Sequence, residues 1–505
     1  MIFTPPSDAQ LLDAARQCGL TLEDGETAAL RRMLEPIQAC YRLLDAQPEE
    51  AEAPRYPRDA GYRPDDAENP HNAWFRRTHV QGAGTGPLHG KRIALKDNIF
   101  LAGVPMANGS TLLDGFVPRF DATVVTRLLD AGAEITGKAA CENLCLSGTS
   151  FTSSTGPIHN PHRRGHSAGG SSSGCGVVVA TGEADMAIGG DQGGSIRMPA
   201  ALCGIYGMKP THGLVPYTGA MPLEPTLDHL GPMTANVEDN ALLLEVIAGD
   251  DGIDPRQRNV RTHRYTEALG RRLAGVRVAV LEEGFSQPGT CVQASERVRA
   301  AAETLRRLGA RVEQVSAPIH ADAARLCRPF LIEGMLRTVF GGDGFGTGRR
   351  DRYPLDLMAH FRDWRARAGE LAEATQLMLL AGTLASAQHG AHYYAKAANL
   401  GHRLRAVYDE VLARHDAILM PTTPAPARPL PPPDAGREAR VAASFGLSAN
   451  TFPFNVTGHP AMSVPCGLID GLPVGMMLVA RHFDEPAIYR IAHAYEQAVA
   501  WKTLS

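Results

Sequence analysis

Short apolar segments alternate with helix-like segments between residues 91 and 190. "RIALK", "AEITGK" and "ADMAIGG" have the length and apolar content of buried strands, and "ATVVTRLLDAG" and "SSGCGVVVATG" lie between them with the character of helices. Neighbouring parallel strands require crossover connections of this kind. The alternation therefore predicts an α/β core in which helices cover a largely parallel sheet.

The residues before this core predict a separate helical region. Ser7 and Gln10 have the spacing of a capping box, and "ETAALRRMLEPIQACYRLLDA" carries apolar residues at helical spacing. Residues 47 to 90 are rich in Pro, Asp, Glu and Gly, which predicts a linker or surface loop. We therefore expect a helical region and linker over 1–70 and a core domain over 71–505, with a helical cover over about 255–440.

The composition argues against several classes of protein. The formal net charge of −4 provides no basic surface for a nucleic acid. Nine cysteines are too sparse for a disulfide scaffold, and Cys141 and Cys145 lack the second ligand cluster of a zinc site. The chain has neither a signal-peptide pattern nor an apolar run of membrane-spanning length. We expect a soluble cytoplasmic protein with no metal site and no nucleic-acid or membrane partner.

Ser167 lies in "GHSAG", which matches the G-x-S-x-G pattern of a hydrolase nucleophile. In true examples of that pattern, a buried strand leads directly into the serine. Here the preceding segment, "GPIHNPHRR", is polar and contains two prolines. A loop serine is therefore the preferred interpretation of Ser167.

Ser195 follows a predicted strand and two glycines, Gly193 and Gly194. Glycines leave backbone N–H groups unshielded, and such groups form the oxyanion holes of acyl-transfer enzymes. The same pattern is typical of a simple glycine-rich turn or of an anion-binding loop. The local residues leave these interpretations open.

Lys96 ends the strand "RIALK" and is one of only six lysines in the chain. Burial disfavours the charged form of a lysine, so a buried lysine can serve as the base in serine–lysine catalysis. Taken alone, a lysine whose amine reaches the surface is the simpler interpretation.

Four segments occur in an order that resembles the amidase signature family: "LKDNI", "GGSSSG", "GGDQGGSIRMPAALCGIYGMKPTHG" and "FPFNVTGHPAMSVPCG". The resemblance covers roughly residues 75 to 500 and is closest to bacterial amidases of the nitrile-metabolism-linked type. It implies the amidase signature fold, an α/β fold in which helices cover both faces of a large mixed β-sheet.

The resemblance also implies roles for individual residues. Ser195 corresponds to the nucleophile, Ser171 to a bridging serine that follows a cis peptide bond, and Lys96 to the base. The remaining assignments are an oxyanion hole at Gln192, Gly193 and Gly194, supporting roles for Ser172, Asp191 and Arg197, and substrate contacts at Cys145, Leu146, Ser147 and Asn450.

Two positions depart from the family pattern in the serine-rich loop. Ser173 replaces a glycine and Cys175 replaces a serine, which affects the expected geometry of the loop. Leu146 is aliphatic where related amidases carry an aromatic residue, which suggests a differently shaped pocket.

The resemblance implies a serine hydrolase that cleaves the C–N bond of small amides or anilides through an acyl-enzyme, with no cofactor. The alternatives are a carbamate hydrolase with the same triad, a glutaminase subunit of a tRNA-dependent amidotransferase, and a non-catalytic binding protein. The expected partner is a small-molecule amide or carbamate, and a homodimer is one open possibility for assembly.

Overall fold

In the computed structural model, which describes residues 4–23, 25–48 and 53–504, the chain divides into two units, Met1–Ala53 and Pro54–Ser505. The first unit contains helices α1 (Asp8–Gln17) and α2 (Glu26–Asp45). The predicted capping box is confirmed: the Gln10 N–H donates to Ser7 Oγ, and the Ser7 N–H donates to Gln10 Oε1.

Over its described residues, the second unit contains eleven strands in one sheet and thirteen α-helices. The strands are β1 (Trp74–Gln81), β2 (Arg92–Lys96), β3 (Glu134–Ala139), β4 (Met186–Asp191), β5 (Tyr206–Lys209), β6 (His229–Thr234), β7 (Arg277–Leu281), β8 (Arg311–Val315), β9 (Ala417–Pro421), β10 (Ala461–Ile469) and β11 (Leu472–Val479). The helices are α3 (Thr123–Asp130), α4 (Ser173–Ala180), α5 (Arg197–Cys203), α6 (Val237–Ile247), α7 (Val292–Arg307), α8 (His320–Leu326), α9 (Arg328–Met335), α10 (Leu355–Phe361), α11 (Glu373–His389), α12 (His392–Arg414), α13 (Arg437–Ala443), α14 (Pro453–Thr457) and α15 (Glu485–Ala498).

The sheet is mixed, with strand order β1-β3-β2-β4-β6-β5-β10-β11-β9-β7-β8. Parallel pairing joins β2 to β3 and β4, and β7 to β8 and β9, while the other neighbours are antiparallel. The large mixed sheet flanked by helices is thus confirmed, and the prediction of a largely parallel sheet was wrong. The alternation that predicted parallel strands covers only β2 to β4, whereas the central β10–β11 pair is a hairpin that needs no crossover.

Residues 47 to 90 are not only a linker. Strand β1 lies within this stretch and pairs antiparallel with β3 at the edge of the sheet. Upstream of it, Tyr62 and Arg77 exchange two backbone hydrogen bonds of 2.9 Å. The predicted boundary near residue 70 therefore falls inside the second unit, because a stretch rich in Pro and Asp can also pack onto a core as an ordered loop.

The expected helical cover over about 255–440 contains α7 to α13 and also strands β7, β8 and β9 of the sheet. A second apolar cluster, separate from the main core, joins Phe100 and Leu146 to Met335, Trp364 and Met378 of these helical segments. Three of its members, Leu146, Leu223 and Met378, line the largely apolar cavity described below. In the described part of the chain, no helix is both long and apolar enough to cross a membrane.

Candidate active site

The end of β2 places a lysine in the interior of the protein. Lys96 is fully buried, and its Nζ lies 2.8 Å from Ser171 Oγ and 3.1 Å from the Gly190 carbonyl oxygen. Strands β2 and β4 are parallel neighbours, so Lys96 and Gly190 reach the same edge of the sheet. Ser171 precedes α4, and the Gly170–Ser171 peptide bond is cis, as the family resemblance implied.

Ser172 connects the serine loop to β4. Its Oγ donates to the Gly190 carbonyl at 3.0 Å and accepts from the Gly190 N–H at 3.2 Å. Its backbone N–H donates to the Ser195 carbonyl at 3.2 Å. Ser172 therefore holds together the segments that carry Ser171 and Ser195.

Ser195 follows the turn at the end of β4 and is 5% exposed. Among the described residues, the backbone N–H groups of Gln192, Gly193 and Ser195 have no acceptor. The Gly194 N–H, in contrast, donates to Asp191 Oδ1 at 2.6 Å. Of the three residues assigned to an oxyanion hole, Gly194 thus has its donor engaged within the protein, and the N–H of Ser195 is available beside those of Gln192 and Gly193.

The turn before Ser195 requires a glycine. Gly194 has a φ of +127°, and a Cβ there would lie 2.2 Å from Thr451 Oγ1. Thr451 Oγ1 also donates to the Gly193 carbonyl at 2.7 Å. The loop before α14 therefore fixes the conformation of this turn.

Asp191 and Arg197 form a fully buried ion pair on either side of Ser195. Two guanidinium nitrogens of Arg197 each donate to one Asp191 oxygen at 3.0 Å, and Arg197 also donates to Asn455 Oδ1 and the Thr451 carbonyl. Burial alone would raise the pKa of Asp191, but the charge and hydrogen bonds of Arg197, with Asn455, hold it well below its usual range. This pair fixes the segment that contains Ser195.

Ser195 faces a cavity whose walls come from six separate parts of the chain. The lining residues are Cys145, Leu146, Ser147, Gly148, Gln192, Gly193, Ser195, Met198, Leu223, Arg328, Leu331, Met378, Ser444, Phe445, Gly446, Leu447, Ser448 and Phe452. The structure thus brings the predicted contact residues Cys145, Leu146 and Ser147 together with Ser195.

The chain matches proteins of known family over most of its length. The amidase family model matches residues 62–488. An enantioselective amidase of Rhodococcus rhodochrous is 43% identical, over 98% of this chain and 96% of the relative. The chain belongs to the amidase signature family.

Two further family members show the breadth of the similarity. A glutamyl-tRNA(Gln) amidotransferase subunit of Exiguobacterium sibiricum is 39% identical, over 82% of this chain and 84% of the relative. The native peptide amidase of Stenotrophomonas maltophilia superposes with a TM-score of 0.67 at 33% identity, covering 82% of this chain and 83% of that one. Membership makes the present protein a hydrolase that acts on the C–N bond of amides.

Asn450 does not line the cavity of this amidase signature protein, although the resemblance placed it at the substrate. Its amide nitrogen donates to the carbonyls of Gly284 and Pro421 at 2.8 Å, and its Oδ1 lies 3.1 Å from His320 Nε2. With both ends of its side chain engaged and no exposed surface, Asn450 joins β9 to α8.

Ser167 is also held within the protein. Its Oγ donates to the Thr149 carbonyl at 2.9 Å and accepts from the Gly169 N–H at 3.0 Å. The hydroxyl therefore supports the loop, in agreement with the preferred interpretation from the sequence. Ser173 differs, because its buried Oγ has no hydrogen-bond partner among the described residues.

Several cavity residues of this hydrolase were not identified as pocket residues from the sequence, although Met198 and Phe452 lie within the quoted motifs. They are Met198, Leu223, Arg328, Leu331, Met378, Phe445, Leu447, Ser448 and Phe452. Most lie in or beside the helical cover, where apolar residues at helical spacing predict burial but not which cavity they line. The order of the motifs identifies the reacting groups but does not identify the residues that form the pocket walls.

One group of side chains in the described ranges has the composition of a metal site. Ligand atoms of Asp409, His459 and His482 all lie within 4.8 Å of one another. His459 already contacts Thr457 Oγ1 through Nδ1 at 2.9 Å and Asp409 through Nε2 at 3.0 Å. None of the three lines the cavity at Ser195.

Proposed function

We propose that this protein is a serine hydrolase that cleaves small amides or anilides to an acid and an amine through an acyl-enzyme. The observation that carries the proposal is the 2.8 Å contact between the buried Lys96 amine and Ser171 Oγ, beside the loop that presents Ser195. A buried amine in contact with a hydroxyl is the arrangement that serine–lysine catalysis requires.

In the first step, Ser195 Oγ attacks the amide carbonyl and forms a C–O bond. The Ser195 proton passes to Ser171 as the Ser171 proton passes to Lys96, which must be neutral to accept it. The carbonyl oxygen becomes an oxyanion, which the free N–H groups of Gln192, Gly193 and Ser195 stabilise as donors fixed in place before reaction.

In the second step, the C–N bond breaks and the proton relay formed by Lys96 and Ser171 transfers its proton in the opposite direction. The proton held by Lys96 returns through Ser171 to the departing nitrogen, so the amine leaves neutral and the ester at Ser195 remains. Water then attacks this ester by the same route and releases the acid. Every proton is supplied by the substrate, water or these side chains, so the scheme uses no cofactor and no partner protein.

The experiment that tests this proposal is a panel of aryl amides and matched aryl carbamates, measured with the wild type and with Ser195→Ala. We expect amide turnover by the wild type and loss of both turnover and fluorophosphonate labelling in Ser195→Ala. Ser167→Ala is the matched control, since its hydroxyl is bonded to Thr149 and away from the relay, and should retain most activity.

Each other outcome has a defined meaning. A large preference in kcat/KM for carbamates would replace the amidase by a carbamate hydrolase with the same triad. An inactive Ser167→Ala with an active Ser195→Ala would transfer the nucleophile to Ser167. A wild-type protein that shows no turnover and no labelling would favour a binding protein.

The similarity to amidotransferase subunits supports a second candidate, a glutaminase that supplies ammonia to a partner. The enantioselective amidase of Rhodococcus rhodochrous aligns with 98% of this chain, whereas the amidotransferase subunit of Exiguobacterium sibiricum aligns with 82%, which favours the first candidate. L-glutamine belongs in the panel for this reason. Turnover of glutamine far above that of every aryl amide would favour the glutaminase.

A further inference from the structure

A single charged side chain lies among the described residues that line the Ser195 cavity. It is Arg328, the first residue of α9. The neighbouring wall is apolar and includes Leu331, Met378 and Phe445. An arginine in such a wall faces the same space as the nucleophile.

Arg328 has no carboxylate partner and no hydrogen bond among the described residues, and its guanidinium carbon lies 5.6 Å from the centre of the Phe445 ring. Two nearby arginines that also lie over aromatic rings are different. Arg440 donates to Glu373 at 2.9 Å, and Arg337 donates to Glu333 at 3.2 Å. Of these three arginines, the one in the cavity is therefore the one without an anion.

The absence of an anion has an energetic consequence. Burial lowers the pKa of Arg328, and no charged neighbour in the described part of the chain offsets this effect. A guanidinium nonetheless stays protonated in proteins, so the cavity contains a partly desolvated positive charge. An anionic group in the cavity would provide the missing compensation, and a carboxylate fits a guanidinium through two parallel hydrogen bonds.

We propose that Arg328 binds a carboxylate on the substrate, so that the preferred amides carry a carboxylate at a distance from the amide that reacts. Monoamides of dicarboxylic acids are the simplest members of this class. The inference rests on the proposed function, because it takes the cavity at Ser195 as the place where the substrate binds.

The test compares monoamides of glutaric and adipic acid with uncharged alkanamides of the same chain length. We expect the wild type to have the higher kcat/KM for the charged members. Arg328→Gln should lower kcat/KM for these by roughly 10- to 100-fold, mainly through KM, and should change the uncharged amides by less than about threefold. Arg328→Lys should recover part of the loss, since it restores the charge without the paired donors.

Arg325→Gln is the matched control. Arg325 lies three residues earlier on α8, is exposed, and pairs with Asp322. It should leave both substrate series unchanged. Inhibition of the wild type by glutarate and adipate, compared with butanoate and pentanoate, provides a measurement that needs no variant, and the dicarboxylates should bind more tightly.

Three results would overturn the inference. The first is equal turnover of charged and uncharged amides by the wild type, and the second is an equal loss for both series in Arg328→Gln. The third is a preference of the wild type for aryl amides that is lost in Arg328→Gln but not in the control variant, which would make Arg328 a stacking surface for an aromatic ring. These results leave the amidase intact. Failure of the proposed function would instead appear as no Ser195-dependent hydrolysis of any amide in either series.

Discussion

Two groups of buried polar residues meet at the end of β4 and use different chemistry. The relay cluster consists of Lys96, Ser171 and Ser172, and its amine contacts a hydroxyl and a carbonyl. The ion-pair cluster consists of Asp191, Arg197 and Asn455, in which opposite charges contact each other directly. Gly190 contacts the relay cluster, and the next residue, Asp191, belongs to the ion-pair cluster.

The difference shows how one strand end supports both rigidity and proton transfer. Paired charges with all their donors engaged fix the backbone. An amine whose partner is a hydroxyl has a group with which it can exchange a proton. Lys138, on the neighbouring strand β3, makes the contrast sharper: it is equally buried but lies 3.4 Å from Asp97 Oδ1. The partners of a buried lysine, more than its burial, distinguish a base from a structural ion pair.

The largest effect should come from removing the relay amine. Lys96→Met should lower kcat by roughly 10³- to 10⁴-fold, because the proton of Ser195 then has no base to receive it. The free energy of unfolding should fall by only about 1 kcal/mol, because Ser171 Oγ loses the contact with the amine while Gly190 keeps its bond from Ser172. Steady-state kinetics and urea unfolding check the two halves of this prediction.

The matched control is Lys138→Met, which should destabilise the protein by leaving Asp97 uncompensated, while the folded fraction keeps its kcat. If Lys96→Met retained more than a tenth of wild-type kcat, the relay would not run through Lys96.

Arg197→Met tests the other side of the comparison. Removing the guanidinium leaves the Asp191 carboxylate buried without its partner, and the free energy of unfolding should fall by about 3–5 kcal/mol. The double variant Asp191→Asn with Arg197→Met should recover part of this loss, since no isolated charge remains. Urea unfolding curves provide the values. An unchanged midpoint in Arg197→Met would mean that the ion pair has no structural role.

The sequence predicted the relay side of the site better than the pocket. Lys96, Ser171 and Ser195 lie in motifs whose order along the chain is distinctive although each motif alone is not, and the structure brings Lys96 and Ser171 into contact. The strands β2, β3 and β4 followed from their apolar content. Arg328 and Phe445 line the same cavity through tertiary contacts between distant segments, which no local pattern encodes.

The errors have the same physical origin. Strand β1 lies in a stretch whose composition predicts a linker. The charged residues of the strand do not form the apolar pattern of a buried strand, so its pairing with β3 was not predicted. The family resemblance placed Asn450 at the substrate, yet its hydrogen bonds turn its side chain towards His320. The sequence can place a polar residue near the active site, but packing determines the direction in which its side chain points.

A smaller effect on the free energy of unfolding should appear at acidic pH and should come from His320. His320, which contacts Asn450, has its pKa lowered to about 4 because burial disfavours the charged ring. The unfolded chain takes up this proton near pH ~6.5. Between these values the unfolded state binds more protons, so the free energy of unfolding should fall as the pH drops from about 6.5 to about 4, by up to about 3 kcal/mol.

His320→Gln removes the titrating ring and should flatten this part of the stability–pH curve, measured by urea unfolding at several pH values. The difference between the two proteins isolates His320 from all other groups. Parallel curves for wild type and variant across this acidic range would contradict the prediction.

The smallest effect separates two adjacent serines of the relay loop. Ser173 has a buried hydroxyl without a partner among the described residues, so Ser173→Ala should raise the free energy of unfolding by about 1 kcal/mol. Ser172→Ala should lower it by about 1 kcal/mol, because the Gly190 N–H loses its acceptor. Urea unfolding of the two variants side by side measures the gap. If Ser173→Ala were the less stable of the two, the Ser173 hydroxyl would have a bonded role in the loop, and the relay cluster would extend to a third serine.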